Sequence, residues 1–170
     1  KLQKANGEKV WTEGHFKRVS DERFEDLSQI IMVSREITER RAREQNLMFL
    51  AFHDSLTQLP NRRFLEKEFP KLVDTAKLRN ESIAICYIDG DNFKQVNDLY
   101  GHDVGDEFIR KVGATLKSSI RQNDIVVRMG GDEFLVVLNQ LSSDREEFEK
   151  QIKAYFKRLQ DEFEKGWFIQ

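Results

Sequence analysis

The spacing of hydrophobic and polar positions changes several times along the chain, and each change predicts a new element. Residues 9–19 and 27–33 are short apolar or alternating segments separated by the polar run Ser20–Arg23, which predicts a β-hairpin. Two strands alone are only marginally stable in water, so this hairpin is expected to be the end of a larger sheet domain. Residues 36–52 are charged and helical, with a poor heptad pattern. They predict either a simple connecting helix or a weak, strained dimer seam.

A second domain is predicted from residue 53 onward. An apolar stripe at helical spacing over residues 61–78 predicts a helix, which Pro70 should kink or divide because proline lacks the backbone N–H. The remaining elements are predicted in the following order: a strand at 82–88, helices at 93–99 and 104–120, strands at 124–129 and 133–138, a helix from the capping box Ser143–Glu146 to Gly166, and a strand from Trp167. This order is the split βαβ pattern of the α+β class, an antiparallel sheet with helices packed on one side.

Composition excludes several classes of protein. The 170 residues are 39% hydrophobic and 34% charged with a net charge of −2, which predicts one sizeable core and a smaller piece, and indicates neither a nucleic-acid polymer nor a membrane surface as partner. The apolar runs have strand length, well short of the ~20 residues that a membrane helix needs. The single cysteine, Cys86, lies in a predicted core strand and has no internal disulfide partner. A cytoplasmic location is expected, and any membrane anchor would lie outside this chain.

Candidate chemistry concentrates in Gly130-Gly131-Asp132-Glu133-Phe134, between two apolar runs. Two strands joined by a two-glycine turn form a hairpin, because tight reverse turns need the positive φ that glycine adopts cheaply. A solvated acidic turn is the simpler interpretation. The alternative is a metal-phosphate site, because Asp89 ends the strand at 82–88 and would meet Asp132 if the two strands are neighbours.

Four segments together resemble a known family. His53 to Arg62, Asp89 to Asp98, Gly101 to Asp106 and the signature 130–134 match the motifs of a GGDEF domain in order and spacing. The resemblance implies a diguanylate cyclase, which condenses two GTP into cyclic di-GMP with release of pyrophosphate on a palm-like, ferredoxin-like sheet. Two positions depart from the pattern. Gln58 replaces a glycine, and Gly90 replaces a larger apolar residue.

The N-terminal part has a resemblance of its own. Trp11 in a strand, followed by residues 33–41, resembles the end of a PAS domain that runs into a signalling helix, with Glu36 where aspartate is usual. The implied domains are a C-terminal PAS part at 1–35, a signalling and dimerisation helix at 36–52, and a GGDEF domain at 53–170 that lacks the family's last strand and C-terminal helix. One domain binds one GTP, so the resemblance also implies a homodimer regulated by the PAS part.

The resemblance assigns a role to each acidic residue of the site. Asp89 and Asp132 are expected to bind Mg²⁺, or Mn²⁺ in its place, through their carboxylates, and Gly90 through its backbone carbonyl. Such oxygen ligands suit Mg²⁺, which keeps waters and substrate phosphates in its shell. Asp132 is also the expected base for the ribose 3′-hydroxyl, and Glu133 assists in placing metal or charge. The sequence leaves open which of the two acids takes the proton.

Nucleotide contacts are implied by the helix that follows Asp89. Asn92, Phe93 and Lys94 form its N-terminus, where free N–H groups and the positive end of the helix dipole suit phosphates. Lys94 adds a charge there, although a solvated helix residue is the simpler interpretation. Asn97 and Asp106 are expected to hydrogen-bond the guanine.

Three further residues are assigned by position in the motifs. His102 is interpreted either as a nucleotide contact or as a cap or turn residue after Gly101. Arg121 and Asp124, an Arg-x-x-Asp five residues before the signature, match the family's inhibitory site for cyclic di-GMP. The same spacing occurs elsewhere in the chain, so only its placement supports this hypothesis.

Two other function classes remain open at this point. The first is a catalytically silent GGDEF module that senses GTP or cyclic di-GMP. The second is a structural PAS-helix scaffold that binds no GTP. The intact signature acids and Asp89 favour the enzyme.

Overall fold

The computed structural model describes residues 1–20 and 28–167, which form two compact units, Lys1–Phe49 and Leu50–Gln170. The elements of the first unit are β1 (Leu2–Gln3), β2 (Lys9–Val10), β3 (Thr12–Ser20), β4 (Ser28–Glu36) and α1 (Thr38–Phe52), whose last residues pass the boundary between the units. The elements of the second unit are α2 (Arg62–Arg79), β5 (Ser82–Ile88), α3 (Phe93–Tyr100), α4 (His102–Ser119), β6 (Ile125–Gly130), β7 (Glu133–Leu141) and α5 (Arg145–Glu164).

The first unit contains the predicted hairpin. Strands β3 and β4 pair antiparallel from Thr12↔Glu36 to Ser20↔Ser28, and its predicted turn at Ser20–Arg23 lies largely outside the described residues. The single strand predicted from residue 9 is interrupted after Val10, since β2 pairs with β1 instead.

Trp11 joins this hairpin to the first turn of α1. Its N–H donates to the Thr38 hydroxyl (2.9 Å), and its carbonyl accepts the N–H of Ile37 (2.8 Å). Two cations lie over the indole ring, with Lys1 Nζ at 4.6 Å and Arg41 Cζ at 3.9 Å from the ring centroid. Strand and helix are therefore attached through both backbone and side-chain contacts of one residue.

The second unit is built on an antiparallel sheet in the order β5-β7-β6. Strand β7 is the central strand, so the predicted neighbourhood of the first strand and the hairpin is confirmed. On one face Val126, Phe134 and Val136 pack against α4 and α5 through Leu116 and Tyr155. This face holds the larger of the two hydrophobic clusters.

The prediction that helices lie on one side of the sheet was wrong. Val127, Leu135 and Val137 point to the other face, where Leu65 and Phe69 of α2 cover them. Nearly all of β7 is buried for this reason. A continuous apolar run in a strand is typical of a sheet covered on both faces.

Two details of the helices add to the prediction. Pro70 does not divide helix α2, which was one of its two predicted effects, because the missing N–H costs one hydrogen bond while the apolar stripe of the helix stays packed on the sheet. The cap of α5 is Asp144 rather than Ser143, since the Asp144 carboxylate accepts the N–H of Glu147 (2.9 Å) and the Ser143 hydroxyl accepts from Asn80 instead.

The C-terminal prediction is tested only in part. Gly166 follows α5 at a φ of 64°, in keeping with its predicted role at the helix end. The strand predicted from Trp167 stays a prediction, because residues 168–170 lie outside the described part of the chain. No helix in the described ranges combines the length and apolar character that crossing a membrane requires.

Candidate active site

The signature turn connects β6 to β7 in the predicted hairpin. Gly130 and Gly131 have φ values of 148° and 54°, and Gly130 pairs with Glu133. A Cβ at either glycine would meet no atom within 4 Å, so the backbone conformation, rather than lack of space, requires glycine here.

Arg128 holds this turn in place. Its Nε and Nη2 donate to the Gly131 carbonyl at 3.1 and 2.7 Å, and its Nη1 donates to Asp54 Oδ1 at 2.8 Å. The same Asp54 oxygen accepts the N–H and hydroxyl of Thr57. Burial acts to raise the pKa of Asp54, but the bonds from Arg128 and Thr57 outweigh it and leave that pKa below its ordinary value of 3.8. The opening motif of the domain is thereby bonded to the signature turn.

The acidic residues come together through the register of β5 and β7. Ile88 pairs with Phe134, so the chain continues into Asp89 and Gly90 beside the start of β7. A Cβ built on Gly90 would lie 3.0 Å from Asp132 Oδ2 and 3.1 Å from Asp132 Cβ. The Gly90 backbone therefore lies directly against the Asp132 side chain, and Asp89 is its neighbour in sequence.

These residues fit a magnesium ion. No lysine or arginine in the described ranges forms a salt bridge with Asp89, Asp132 or Glu133. The described part of the chain also contains no cluster of three His, Cys, Asp or Glu side chains suited to a metal. Two carboxylates and a backbone carbonyl are a donor set that leaves room for substrate phosphates and water, as Mg²⁺ prefers. The Gly90 carbonyl accepts one hydrogen bond, from the Phe93 N–H at 3.2 Å, and retains a second lone pair.

Tyr87 contacts Glu133 from the neighbouring strand. The neighbouring Glu133 carboxylate and, to a smaller extent, the charge of Asp89 raise the pKa of Tyr87, while nearby Arg62 opposes the shift. The ring is exposed, and it shares a sheet face with Glu133 because Tyr87 pairs with Leu135. No local sequence pattern predicts a role for Tyr87.

The predicted phosphate contacts lie at the start of α3. Asn92 precedes the helix at a φ of 62° without a side-chain cap bond, and Phe93 is the first helical residue. Lys94 is exposed and has no salt bridge among the residues described. The helix N-terminus therefore presents backbone N–H groups and one cation beside Asp89 and Gly90.

The predicted guanine contacts lie where α3 meets α4. Asn97 is half-buried, and its Oδ1 lies 1.9 Å from where a Cβ of Gly105 would be. Asp106 follows Gly105 and is exposed. His102 is the first residue of α4, and Gly101 is the cap, so His102 does not cap that helix.

The predicted inhibitory pair divides into an exposed and a buried residue. Asp124 is 6% exposed, and its two carboxylate oxygens accept the N–H groups of Arg121 (3.0 Å) and Asn139 (2.9 Å). Its carboxylate thus links the turn before β6 to strand β7. Arg121 has an exposed side chain without a salt bridge in the described part of the chain.

Asp54 lies within one of the motif segments identified in the sequence, whereas Arg128 lies in none of them. The available signal was the strand Ile125–Gly130, in which Arg128 is the one charged residue beside the turn. A cation in an otherwise apolar strand needs an acceptor, which here is a carboxylate 74 residues away in sequence.

Known proteins resemble this chain in sequence. The family described as "Diguanylate cyclase, GGDEF domain" matches residues 51–167. Diguanylate cyclase TpbB of Pseudomonas aeruginosa is 36% identical over 135 residues, which are 75% of this chain and 31% of the relative. Diguanylate cyclase DgcP of Escherichia coli is 38% identical over 153 residues, 82% of this chain and 45% of the relative.

A solved structure has the same fold. The GGDEF domain of Pseudomonas aeruginosa TpbB superposes with a TM-score of 0.60 at 34% identity, covering 66% of this chain and 62% of that one. This chain spans less than half the length of the two curated relatives named above.

Proposed function

This chain belongs to the diguanylate cyclase GGDEF-domain family, and from that premise we propose that it condenses two GTP into cyclic di-GMP and releases pyrophosphate. The contact between the Gly90 backbone and the Asp132 carboxylate is the observation that carries the proposal. It gathers oxygen ligands beside the N-terminus of α3, where a triphosphate would be bound.

The acidic residues have complementary roles in this proposal. Asp89, Asp132 and the Gly90 carbonyl would hold Mg²⁺, or Mn²⁺ in its place, and the positive charge held there would offset the negative charge of the substrate phosphates. Asp132 accepts the proton of the ribose 3′-hydroxyl, which attacks the α-phosphate of the second GTP. Glu133, which shares a sheet face with Tyr87, adds negative charge beside Asp132.

The other predicted residues bind the nucleotide. Backbone N–H groups around Asn92 and Phe93 receive the phosphates, and Lys94 adds a charge. Asn97 and Asp106 hydrogen-bond the guanine, and His102 contacts the nucleotide from the start of α4. Each copy binds one GTP, so product formation requires a homodimer.

Product formation by this chain tests the proposal. Incubation with GTP and Mg²⁺ should yield cyclic di-GMP and pyrophosphate in a 1:2 ratio, measured by chromatography. Asp132→Ala should lower the rate by at least about a hundredfold, the usual size of a lost general base. Asp98→Ala, an exposed acid on α3, is the matched control and should retain the rate. Product that persists in Asp132→Ala would refute the site assignment, and tight GTP binding without product would favour the silent sensor.

We also propose feedback inhibition through Arg121. An exposed guanidinium free of salt bridges in the described part of the chain supports it, since this group binds phosphate or a guanine edge well. Arg121→Ala should abolish inhibition by added cyclic di-GMP without lowering the initial rate. Lys117→Ala, which removes an exposed cation from the same end of α4, should leave inhibition intact. Inhibition that is unchanged in Arg121→Ala contradicts the proposal.

The N-terminal unit is proposed to be the end of a PAS domain that regulates the cyclase through α1. Its antiparallel hairpin followed by a helix supports this assignment. GTP is the substrate, so we place the reaction in the cytoplasm.

A further inference from the structure

We propose that Gly105 is a positioning residue for nucleotide recognition: its lack of a side chain lets the Asn97 carboxamide lie against α4 in the orientation that binds guanine. This inference rests on the proposed function, because the guanine is assigned there.

The contact between the two residues is too close for any other amino acid. A Cβ on Gly105 would lie 1.9 Å from Asn97 Oδ1, 3.0 Å from Asn97 Cγ and 3.3 Å from Phe93 Cζ. Gly105 lies in the first turn of α4 and is buried, so a side chain there could not turn away into solvent. A methyl group there must displace the Asn97 amide.

Neither backbone conformation nor helix stability explains this glycine. Gly105 lies within a helix and, unlike Gly101, does not have a positive φ. In a helix interior, glycine is less favourable than alanine by about 1 kcal/mol. Close packing against Asn97 is therefore the physical reason for a glycine at this position.

The backbones of α3 and α4 cannot easily separate to make room. The Gly101 N–H donates to the Asn97 carbonyl (2.9 Å), and the Gly105 N–H donates to the Gly101 carbonyl (3.2 Å), so a single residue joins the two helices. Phe93 and Phe108 stack between them with ring centroids 5.9 Å apart. The Asn97 carboxamide, the nearest group and the end of a flexible side chain, is the part of this contact that would move first.

The Asn97 amide is available to a ligand in its observed orientation. It makes no hydrogen bond within the described part of the chain and is only half-buried. A carboxamide offers both donors and an acceptor, which match the mixed edge of guanine. Asp106 follows Gly105 directly in α4, and Asn97 of α3 packs against Gly105. The two proposed guanine contacts therefore lie beside the same part of α4.

A double-mutant cycle tests the inference. GTP and ATP affinities are measured by calorimetry for the wild type, Gly105→Ala, Asn97→Ala and the double variant, together with the melting temperature of each. Gly105→Ala should weaken GTP binding about tenfold and reduce the preference for GTP over ATP. In the Asn97→Ala background the added methyl should cause no further loss of affinity, and it should raise the melting temperature because the clash is absent.

Gly113→Ala is the matched control. Gly113 is also buried in α4, and a Cβ there would lie 3.0 Å from the Leu59 Cδ1 methyl, far from Asn97 in sequence and outside the proposed binding residues. Its GTP affinity should stay within about twofold of the wild type. Two results would overturn the inference. One is an equal loss of GTP affinity from Gly105→Ala in the wild-type and Asn97→Ala backgrounds, and the other is a GTP affinity that Gly105→Ala leaves unchanged.

The two proposals fail in different ways. A wild-type chain that does not prefer GTP to ATP overturns the proposed function, and with it the assignment of Gly105 to guanine recognition. The melting temperatures still report the contact in that case, since Gly105→Ala should destabilise the wild type but stabilise Asn97→Ala. A wild type that prefers GTP, with affinities that show no coupling, overturns the role of Gly105 alone.

Discussion

Gln58 has a φ of 60°, in the left-handed region that glycine adopts at little cost. Its Nε2 donates to the Ser55 carbonyl at 2.8 Å, closing a turn in which Thr57 donates to Asp54. The glycine that the GGDEF motif usually has at this position suits that backbone conformation. The departure noted in the sequence is therefore a point of local strain.

Gln58→Gly should stabilise the protein. Relief of the left-handed strain is worth about 1 kcal/mol in unfolding free energy, although one side-chain hydrogen bond is lost. Urea denaturation measures the change. Gln95→Gly, the same substitution inside α3, should instead destabilise by about 1 kcal/mol. A less stable Gln58→Gly would mean that the bond to Ser55 outweighs the strain.

The Asp54–Arg128 pair should contribute pH-dependent stability. Both side chains are largely buried, at 22% and 13% exposure, and a hydrogen bond to a charged group contributes about 2 kcal/mol. Because the folded-state pKa of Asp54 is lowered, this stability is present above pH 3.8 and is lost as the pH falls through the folded value.

Asp54→Asn should therefore be less stable than the wild type at pH 7. The difference in unfolding free energy between the two proteins should narrow below pH 4, as measured by acid titrations followed by circular dichroism. Glu66→Gln is the control, because its pair with Arg62 is exposed and should contribute less than about 1 kcal/mol. A difference in unfolding free energy that stays constant with pH would show that Asp54 acts through packing alone.

At the scale of elements, hydrophobic periodicity predicted every helix and strand longer than two residues in the described part of the second unit, with bounds within about three residues. The second face of the sheet was missed, since the alternation in β7 is concealed by Val136 and Val137, both of which are buried on opposite faces. Arg128 and Tyr87 were missed for a related reason. Their partners depend on strand register and on a loop distant in sequence, neither of which a local pattern contains.

The convergence at the candidate site was predictable because it follows from strand order. Once β5 neighbours β7, the residues after Ile88 must come beside the start of β7. The contact between Asn97 and Gly105 was not predictable, because it depends on how closely two short-linked helices pack.

Tyr155 of α5 is a core residue whose buried hydroxyl group lacks a hydrogen-bond partner among the described residues. This side chain is 1% exposed. The Ser119 hydroxyl, close enough to lower the Tyr155 pKa slightly, donates its hydrogen to the Leu116 carbonyl instead. Burial nevertheless raises the pKa of Tyr155 from 10.0 to about 12.

Tyr155→Phe should stabilise the fold by about 1 kcal/mol, because it removes an unsatisfied buried polar group. The gain should grow above pH 10, where unfolded tyrosine ionises and the wild type loses stability until the pH reaches about 12. Thermal denaturation at pH 7 and pH 10.5 measures both effects, and Tyr100→Phe, an exposed tyrosine on α3, is the control. A loss of stability in Tyr155→Phe would indicate that its hydroxyl is bonded.

At the scale of the whole molecule, the proposed reaction needs two copies of the chain, and α1 offers a surface for pairing. Leu47 and Met48 are 66% and 67% exposed in the apolar C-terminal part of this helix, whose N-terminal half is largely charged. Exposed neighbouring apolar side chains favour association.

Specific activity should consequently rise with protein concentration. Leu47→Glu should lower both the dimer fraction, measured by sedimentation, and the rate at low concentration, while Gln45→Glu, which adds the same charge to the same helix, should change neither. Activity of Leu47→Glu equal to that of the wild type at all concentrations would exclude α1 as the source of the dimer.

The attachment of Trp11 to α1 has a mechanical consequence for the N-terminal unit. Its carbonyl and N–H are bonded to residues 37 and 38, and its ring contacts Lys1 and Arg41, so the connection before α1 has little rotational freedom. A rotation of the hairpin should therefore be transmitted as torque to the first turn of α1, because no flexible linker separates the two elements.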